Sequence, residues 1–204
     1  SLNTHLGISE TLSTDEVNEA AIIDSEWVYL EGYLVTSPTG HAAALKTKAL
    51  AEQHNVRTAV SFSDPGMVKF FRDNMAAMIE GGVELVFCNE SEAMEWCQCD
   101  HLDEAIDAIK AVAKRFVITL GAKGAVTWDG EKLHRVAVKP VEAVNTNGAG
   151  DMFAGAFLYA LSRGESDLRA TEFATLAAGE VVKYFGPRLD RDTCLHLRRQ
   201  FFGD

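Results

Sequence analysis

Two glycines and an aspartate introduce an apolar helical pattern after residue 147. Gly148 and Gly150 leave the backbone free to turn and to expose consecutive N–H groups. The dipole of the following helix adds partial positive charge at the same place, so the turn suits an anion such as a phosphoryl group in transfer. Asp151 follows directly, and its carboxylate could accept a proton from a hydroxyl group while the turn holds the phosphoryl group.

Asp151 also has a simpler interpretation, because a carboxylate in the first turn of a helix stabilises the helix dipole by itself. The two glycines favour the catalytic interpretation, since an ordinary helix start does not need both. Two other phosphate-binding motifs do not fit. The chain lacks the G-x-x-x-x-G-K-[ST] motif of P-loop proteins. Phe153 stands where a dinucleotide-binding fingerprint has its third glycine, and no second strand follows.

Strand and helix patterns alternate along the chain, which is typical of an α/β fold with a mainly parallel sheet and helices on both faces. The length and the lack of a linker predict that residues 1–204 form a single domain. The predicted strands cover residues 27–34, 56–62, 83–88 and 115–120, with a hairpin at 126–130 and 133–138. The predicted helices cover residues 39–54, 65–80, 90–97, 102–114, 148–163 and 167–184.

Polar and small residues follow several of these strands. Folds of this class bind ligands beyond the carboxyl ends of their strands. Asn89 follows one predicted strand, and Thr119 and Gly121 end another, so these residues are candidates for a ligand site. Asp64 also follows a strand, where it could join a magnesium shell, but capping the next helix is the simpler role.

Taken together, four segments resemble the ribokinase (PfkB) family of carbohydrate kinases, in particular its adenosine kinase-like branch. The closing signature of that family is D-T-x-G-A-G-D followed by an aromatic and small residues, and this chain has Asn145-Thr146-Asn147-Gly148-Ala149-Gly150-Asp151-Met152-Phe153. The other three segments match in the expected order: Asn89-Glu90-Ser91-Glu92, Thr119-Leu120-Gly121-Ala122-Lys123-Gly124, and Thr175 to Pro187.

The resemblance implies a ribokinase-like three-layer αβα fold and a kinase that uses ATP and magnesium. It implies that Asp151 is the general base and that Gly148, Ala149 and Gly150 form the anion hole. Glu92 would help to place magnesium through water. Lys123 could equally be an ordinary surface lysine of a turn. The implied nucleotide-binding residues are Asn89, Thr119, Gly121, Lys123, Gly124, Thr175 and Ala178.

Two departures from the family pattern affect these expectations. Asn145 replaces the usual aspartate, whose carboxylate often helps to bind a monovalent cation, so cation activation is in doubt. Family members also carry well over a hundred residues before the segment matching Asn3 to Gly7. We expect part of a strand and turn over Ser1 to Gly7. The chain therefore resembles a carboxyl-terminal portion that lacks the first strands, most sugar contacts and the lid. We expect it to form a homo-oligomer or to pair with its own amino-terminal portion.

Composition excludes several classes of function. The formal net charge is −11, and no run of basic residues exceeds the pair Arg198–Arg199, which disfavours a nucleic-acid partner. The four cysteines lack paired C-x-x-C spacing, so we interpret them as reduced residues of an intracellular protein rather than a zinc site. No run of 18 apolar residues is present, so we expect no membrane partner and a cytoplasmic location.

The sequence thus predicts an ATP-dependent phosphotransferase that acts on a hydroxyl group of a small-molecule sugar or nucleoside. The choice among fructose, ribose and nucleosides stays open. The alternative is a non-catalytic nucleotide-binding or structural remnant of such a kinase.

Overall fold

The computed structural model describes residues 7–203, and every structural statement below refers to that part of the chain. Its strands are β1 (Trp27–Glu31), β2 (Arg57–Ser61), β3 (Val83–Asn89), β4 (Ala113–Thr119), β5 (Ala125–Trp128) and β6 (Leu133–Val136). Its helices are α1 (Glu19–Ile23), α2 (Pro38–Gln53), α3 (Pro65–Phe70), α4 (Arg72–Ile79), α5 (Glu90–Cys97), α6 (Leu102–Lys110), α7 (Ala149–Ser162), α8 (Asp167–Val181) and α9 (Arg191–Phe202). None of these helices is both long and apolar enough to cross a membrane.

The six strands form one sheet in the order β1-β2-β3-β4-β5-β6. β1, β2 and β3 run parallel, with Tyr29 opposite Ala59 and Ala59 opposite Leu85. β5 and β6 form an antiparallel hairpin in which Ala125 lies opposite Val136. The mainly parallel sheet and the predicted hairpin are therefore confirmed.

The chain divides into two compact units, and the division falls between Phe116 and Val117, inside β4. In the first unit the core is formed by apolar side chains of the strands and of α2 to α6, including the fully buried Val60, Phe62 and Leu85. The single domain expected from the sequence remains a prediction.

Polar side chains cap the starts of α2 and α3 in the first unit. The Ser37 hydroxyl accepts a hydrogen bond from the N–H group of Gly40 at 3.0 Å at the start of α2. Asp64 accepts one from Gly66 at 2.7 Å at the start of α3, so Asp64 has its expected role as a cap. Each cap satisfies an N–H group that the first helical turn leaves without an acceptor.

The helix predicted over residues 65–80 is interrupted at Phe71, whose φ of −123° and ψ of 34° are not helical. The interruption gives Arg72 a new direction at the start of α4. Its guanidinium donates to the Glu95 carbonyl at 3.3 Å and to the Trp96 carbonyl at 2.6 Å, and it lies 4.8 Å from the Trp96 ring centroid. These contacts satisfy carbonyl groups at the end of α5 and explain why one continuous helix was the wrong prediction.

Three further predicted boundaries need correction, and one helix was missed. The helix from Leu102 ends at Lys110 rather than at residue 114, because the chain enters β4 at Ala113. β1 ends at Glu31, and a 3-10 helix over Gly32–Thr36 replaces the last predicted strand residues. The last helix predicted from Asp167 ends at Val181 rather than at 184, and a further helix, α9, was missed. The strand and turn expected over residues 1–7 lie outside the described residues, apart from Gly7, which begins a 3-10 helix over Gly7–Thr11.

The second unit packs α7 against α8 and places α8 against the β5–β6 hairpin. Asp129 stabilises the turn of the hairpin, since its carboxylate accepts hydrogen bonds from the N–H groups of Glu131 and Lys132 at 2.8 and 2.7 Å. Phe173 of α8 holds α9 through ring contacts, with centroids 5.2 Å from Phe201 and 4.7 Å from Phe202. These contacts are long-range, so the sequence pattern gave little indication of α9.

Gly32 allows the carboxyl ends of β1 and β2 to approach each other closely. A Cβ atom at this position would lie 2.7 Å from the carbonyl oxygens of both Ser61 and Phe62. The N–H group of Gly32 donates to the Ser63 hydroxyl at 2.8 Å, and that hydroxyl donates to the Glu31 carboxylate at 2.6 Å. The polar groups at this edge of the sheet therefore have fixed positions.

We expect Gly32→Ala to lower the free energy of unfolding by about 1–3 kcal/mol, because the added methyl group overlaps backbone atoms that cannot rotate away. Gly155→Ala is the control, since a Cβ atom there meets no atom within 4 Å. It should raise stability by up to about 1 kcal/mol through helix propensity. Urea unfolding curves measure the stability of both variants. Equal stability would contradict the conclusion that position 32 needs glycine for the close approach of β1 and β2.

Candidate functional site at the start of α7

The turn that precedes α7 requires glycine at position 148. Gly148 has a left-handed φ of 78°, and a Cβ atom there would lie 2.3 Å from the Pro187 carbonyl oxygen. Ala149 N–H donates to the Thr146 carbonyl at 3.2 Å, and the α-helical pattern starts with Met152 N–H, which donates to the Gly148 carbonyl at 2.9 Å. The N–H groups of Gly150 and Asp151 lie between these bonds, in the turn where a helix binds anions.

Gly150 has a different reason to be small. Its φ is not positive, and a Cβ atom on it would meet nothing within 4 Å. The free space above Gly150 lets a ligand reach the backbone of the first helical turn. Gly148 is therefore needed for the turn, whereas Gly150 leaves space for a ligand to approach.

The first turn of α7 separates two cavities of the second unit. Ala149 and Gly150 line one of them, and Asp151 and Met152 line the other. Successive residues of a helix point about 100° apart, so a single turn can present its N–H groups to one side and a carboxylate to the other. We call these cavities the β4–α8 cavity and the α7–α9 groove.

The β4–α8 cavity has a volume of about 370 Å³, which is within the range of small-molecule sites. It joins the turn after β4, the loop after β6, the start of α7 and one face of α8. Its lining residues are Thr119, Gly121, Ala122, Gly124, Val138, Lys139, Pro140, Val141, Ala143, Thr146, Ala149, Gly150, Phe153, Thr175, Ala178, Gly179 and Val182. The structure thus brings together seven of the predicted site residues: Thr119, Gly121, Gly124, Ala149, Gly150, Thr175 and Ala178.

Thr175 supplies a polar group that lacks a partner within this mostly apolar cavity. Its side chain is 8% exposed, and its Oγ1 atom is buried without a hydrogen bond. Thr171, one turn earlier on α8, donates its hydroxyl to the Asp167 carbonyl at 2.7 Å. A buried hydroxyl without a partner is unfavourable, so Thr175 is arranged for a ligand that provides one.

The α7–α9 groove is larger, about 680 Å³, and its floor is apolar. Met152, Ala156 and Tyr159 line it along α7, and Leu195 and Leu197 line it along α9. Asp151 lies at one end of this row and is exposed. Basic residues also border the groove: Arg188, Arg191 and Arg198.

The turn after β4 gives its glycines separate roles. Gly121 has a φ of 58° and free space where a Cβ atom would be, so its backbone is open to a ligand. Gly124 has a φ of 96°, and a Cβ atom there would lie 1.9 Å from the Val136 carbonyl oxygen. Gly124 is therefore needed for packing against β6, although it also lines the β4–α8 cavity. Lys123 is exposed and is not among the residues described as lining that cavity.

Asn89 and Glu92 lie in the first unit, at the end of β3 and the start of α5. Asn89 Oδ1 accepts a hydrogen bond from Glu92 N–H at 2.9 Å, and Glu92 Oε2 accepts one from Asn89 N–H at 2.9 Å. Asn89 Nδ2 also donates to Glu92 Oε1 at 2.6 Å. This capping box uses both polar atoms of the Asn89 side chain, so Asn89 fixes the position of the Glu92 carboxyl group.

Glu92 is only 4% exposed, and burial raises its pKa to about 7. The hydrogen bond from the Asn89 backbone opposes this rise, while the negative charges of Asp64 and Glu31 add to it. A nearby divalent cation would be stabilised by this group of carboxylates, which is compatible with magnesium held through water. Within residues 7–203, no cluster of three His, Cys, Asp or Glu side chains has the geometry to bind a metal ion directly.

Asn145 lies in the loop before the turn, half-buried. Its Oδ1 atom accepts a hydrogen bond from the N–H group of Asn147 at 2.8 Å, and its own N–H group donates to the Val182 carbonyl at 3.1 Å. The side-chain oxygen is thus engaged in holding the loop that leads to Gly148.

Sequence reasoning missed the loop that closes the β4–α8 cavity. Val138, Pro140 and Val141 follow the hairpin and line the cavity together with Gly179 of α8 and Val182, which follows that helix. β6 ends at Val136 rather than at the predicted residue 138, and the available signal was the run of apolar residues and proline that continues past it, because exposed loops seldom need such residues. Phe153 was noted in the sequence as the aromatic residue of the closing signature but not as a site residue, yet it contributes to the cavity wall.

Comparisons with known proteins agree with this architecture. The sequence pattern of the family described as pfkB family carbohydrate kinase matches residues 1–194. An adenosine kinase of Saccharomyces cerevisiae is 28% identical over 203 residues, which cover 92% of this chain and 58% of that protein. This chain thus spans less than two thirds of the length of that relative.

Solved structures share the fold. An adenosine kinase from Sinorhizobium meliloti superposes with a TM-score of 0.88 at 29% identity, over 94% of this chain and 59% of that one. A protein described as a ribokinase II from E. coli, solved in complex with ATP and Mg²⁺, superposes with a TM-score of 0.83 at 20% identity, over 95% of this chain and 63% of that one. The ribokinase-like αβα fold expected from the sequence is confirmed.

The raised pKa of Glu92 predicts how stability depends on pH. The folded state binds a proton that the unfolded state releases, so this group favours folding below about pH 4.5 and loses that contribution as pH rises through about 7. Glu92→Gln keeps the capping box but cannot ionise. Relative to the original chain, it should gain about 1–3 kcal/mol in the free energy of unfolding between pH 4.5 and pH 8.

Urea unfolding of both chains across this pH range measures the difference. Glu90→Gln is the matched control, because it removes a carboxylate from the same first turn at a half-buried position. A gain of equal size in Glu90→Gln would mean that net charge, and not burial of Glu92, is responsible.

Proposed function

Because the chain belongs to the pfkB family of carbohydrate kinases, we propose that it forms the nucleotide-binding and catalytic part of an ATP-dependent kinase that phosphorylates a hydroxyl group of a sugar or nucleoside. The observation that carries this proposal is the first turn of α7, which lies between two cavities of the same unit. Phosphoryl transfer needs a donor and an acceptor on opposite sides of an anion-binding group, and this turn provides that arrangement.

The β4–α8 cavity is the proposed ATP site. Its apolar walls, including Val138 and Ala178, suit the faces of a purine ring, and the Thr175 hydroxyl suits a polar atom of the nucleoside. Gly121 and Gly150 present open backbone at the same cavity, where phosphate oxygens can approach N–H groups. The phosphates would then point to the start of α7, whose dipole favours negative charge.

Asp151 is the proposed general base. The acceptor hydroxyl would lie in the α7–α9 groove, where its proton passes to the Asp151 carboxylate as its oxygen bonds to the γ-phosphorus of ATP. The bond from that phosphorus to the β-phosphate oxygen breaks, and ADP leaves. N–H groups in the Gly148-Ala149-Gly150 turn would stabilise the charge on the transferred group.

Magnesium is the proposed metal of this reaction, carried with the ATP phosphates and held through water by Glu92. When bound, it would neutralise phosphate charge. Asn89 orients Glu92, as the capping box indicates, and direct contact of Asn89 with the nucleotide would require part of that box to open. A monovalent cation at Asn145 is less well supported, because its side-chain oxygen already accepts a hydrogen bond.

A nucleoside is compatible with the α7–α9 groove, since its apolar floor could accommodate a base beside the sugar that carries the hydroxyl group. The similarity to adenosine kinases supports this choice, while other sugars remain candidates. We also propose that the chain pairs with its own amino-terminal portion or with a second copy of itself. Analytical ultracentrifugation with and without a separately expressed amino-terminal portion tests this pairing.

Thr175→Val tests the nucleotide site. Removing a hydroxyl that lacks a partner should leave the free energy of unfolding unchanged or raise it by up to about 1 kcal/mol. The affinity for MgATP should fall about 2- to 10-fold, the value of one neutral hydrogen bond. Calorimetric titration of the full-length protein measures the affinity, and urea unfolding measures the stability.

Thr171→Val is the matched control for this pair of measurements. It removes a satisfied hydroxyl one turn away, so it should lower stability by about 1 kcal/mol and leave the affinity for MgATP unchanged. Unchanged affinity in Thr175→Val would rule out contact between this hydroxyl and the nucleotide.

Asp151→Asn separates an enzyme from a non-catalytic remnant. The variant retains the size of the side chain but loses the proton acceptor, so kcat of the full-length protein should fall by about 10²- to 10⁴-fold. The affinity for ATP should hold or rise, because a negative charge beside the γ-phosphate is removed. Steady-state assays against a panel of sugars and nucleosides measure kcat.

Asp192→Asn controls for the helix dipole, since Asp192 is an exposed carboxylate in the first turn of α9. It should leave kcat unchanged. If Asp151→Asn kept kcat within a factor of about two, Asp151 would be only a charge that stabilises a helix start.

A further inference from the structure

Two cysteines flank the residue that ends α5. Cys97 is the last residue of the helix, Gln98 has a left-handed φ of 55° and ψ of 44°, and Cys99 follows. Gln98 N–H donates to the Glu95 carbonyl at 3.3 Å, and Cys99 N–H donates to the Met94 carbonyl at 3.2 Å. These bonds reverse the chain direction in the manner of a Schellman motif, in which glycine is the usual left-handed residue.

The left-handed conformation of Gln98 brings the two cysteines close together. Helical dihedral angles of either hand place the Cα atoms of residues i and i+2 about 5.4 Å apart, from the rise and radius of the helix. Disulfides usually span Cα distances of about 4.4–6.8 Å. The backbone between Cys97 and Cys99 therefore already has a geometry compatible with a disulfide.

The thiols also interact in the reduced state. A hydrogen bond with the Cys99 thiol is the main cause that raises the pKa of Cys97. The Cys97 thiol donates to the Glu104 carbonyl at 3.5 Å, and the Cys99 thiol donates to the His101 carbonyl at 3.3 Å. Both thiols therefore lie against backbone carbonyls at the start of α6.

The surroundings keep this pair in position and accessible. Arg72 donates to the carbonyls of Glu95 and Trp96, which holds the last turn of α5 in place. Both thiols are half-buried, so small reagents can reach them. Cys88 is buried, and Cys194 lies on α9 in the second unit, so neither shares this arrangement.

We propose that Cys97 and Cys99 form a dithiol site that is reversibly oxidised to an intrachain disulfide by exchange with a low-molecular-weight disulfide such as oxidised glutathione. One cysteine loses its proton and attacks a sulfur atom of the reagent, which releases one small thiol and leaves a mixed disulfide. The second cysteine loses its proton and attacks the protein sulfur, which releases the second small thiol. The protein loses two protons and two electrons, and the reagent is reduced to two thiols.

Oxidation would remove both S–H donors from the carbonyls of His101 and Glu104, which lie at the start of α6. We therefore expect faster backbone amide exchange in the first turn of α6 after oxidation, with exchange at the start of α5 unchanged. The site is independent of the proposed kinase reaction, since it uses none of the residues placed there.

The test is incubation of the chain with oxidised glutathione, followed by alkylation of free thiols and mass spectrometry of the intact protein and its peptides. The expected product has lost two hydrogens, carries both oxidised cysteines in one peptide and returns to the dithiol with dithiothreitol. Cys97→Ser and Cys99→Ser should each stop at a stable glutathione adduct on the remaining cysteine. Cys194→Ser is the control and should form the disulfide like the original chain.

The peptide map of the original chain shows whether Cys97 and Cys99 form the disulfide, even if a serine variant folds poorly. A chain that remains reduced would overturn the proposal, as would stable glutathione adducts on both cysteines or a disulfide that includes Cys194.

Discussion

The left-handed backbone of Gly148 is the constraint on which the site of the second unit depends. Its φ of 78° turns the loop after β6 into α7, and the Pro187 carbonyl lies so close that no side chain fits between them. Pro187 follows α8, so contact with it ties the start of α7 to the end of the neighbouring helix. The N–H groups of the first turn of α7 and the carboxylate of Asp151 take their positions from this turn, which contributes a wall to each cavity.

A second principle operates in the first unit, where polar side chains at strand ends also act as helix caps. Both polar atoms of the Asn89 side chain form hydrogen bonds with Glu92 at the start of α5. Asp64 caps α3, and its negative charge also contributes to the raised pKa of Glu92. Residues that are held by capping bonds lose little freedom when a ligand arrives. The capping bonds thus hold polar side chains of the candidate site, such as Glu92, in fixed positions before a ligand binds.

Much of this architecture could be predicted from the sequence. The strands β2 to β4 are short apolar runs bounded by turn residues, and α2, α5, α7 and α8 carry caps or glycine turns that mark their beginnings. α9 also begins at a cap, Asp190, but its closing residues Phe201 and Phe202 are explained by long-range contacts, chiefly with Phe173 of α8. The break at Phe71 likewise depends on Arg72 reaching the end of α5.

The site shows the same limit. Gly148, Gly150 and Asp151 could be found because they are adjacent in sequence, whereas Val138 and Val141 gain meaning only when the loop lies near α8. The distinct reasons for Gly121 and Gly124 were also beyond the sequence, since they depend on what a Cβ atom would meet. The sequence pattern identified the residues proposed to react or bind, whereas the residues that line the cavity around them became visible only in the packed structure.

Sharing a single helical turn between two cavities has an evolutionary consequence. Any substitution that tilts the start of α7 moves the wall of the β4–α8 cavity and that of the α7–α9 groove together, so changes there alter the shape of both cavities at once. If the groove takes the acceptor as proposed, divergence in acceptor preference is easier farther along it, at residues such as Tyr159, about 12 Å along the helix from Asp151. The start of α7 should vary little among descendants of this chain, while the far end of the groove is free to diversify.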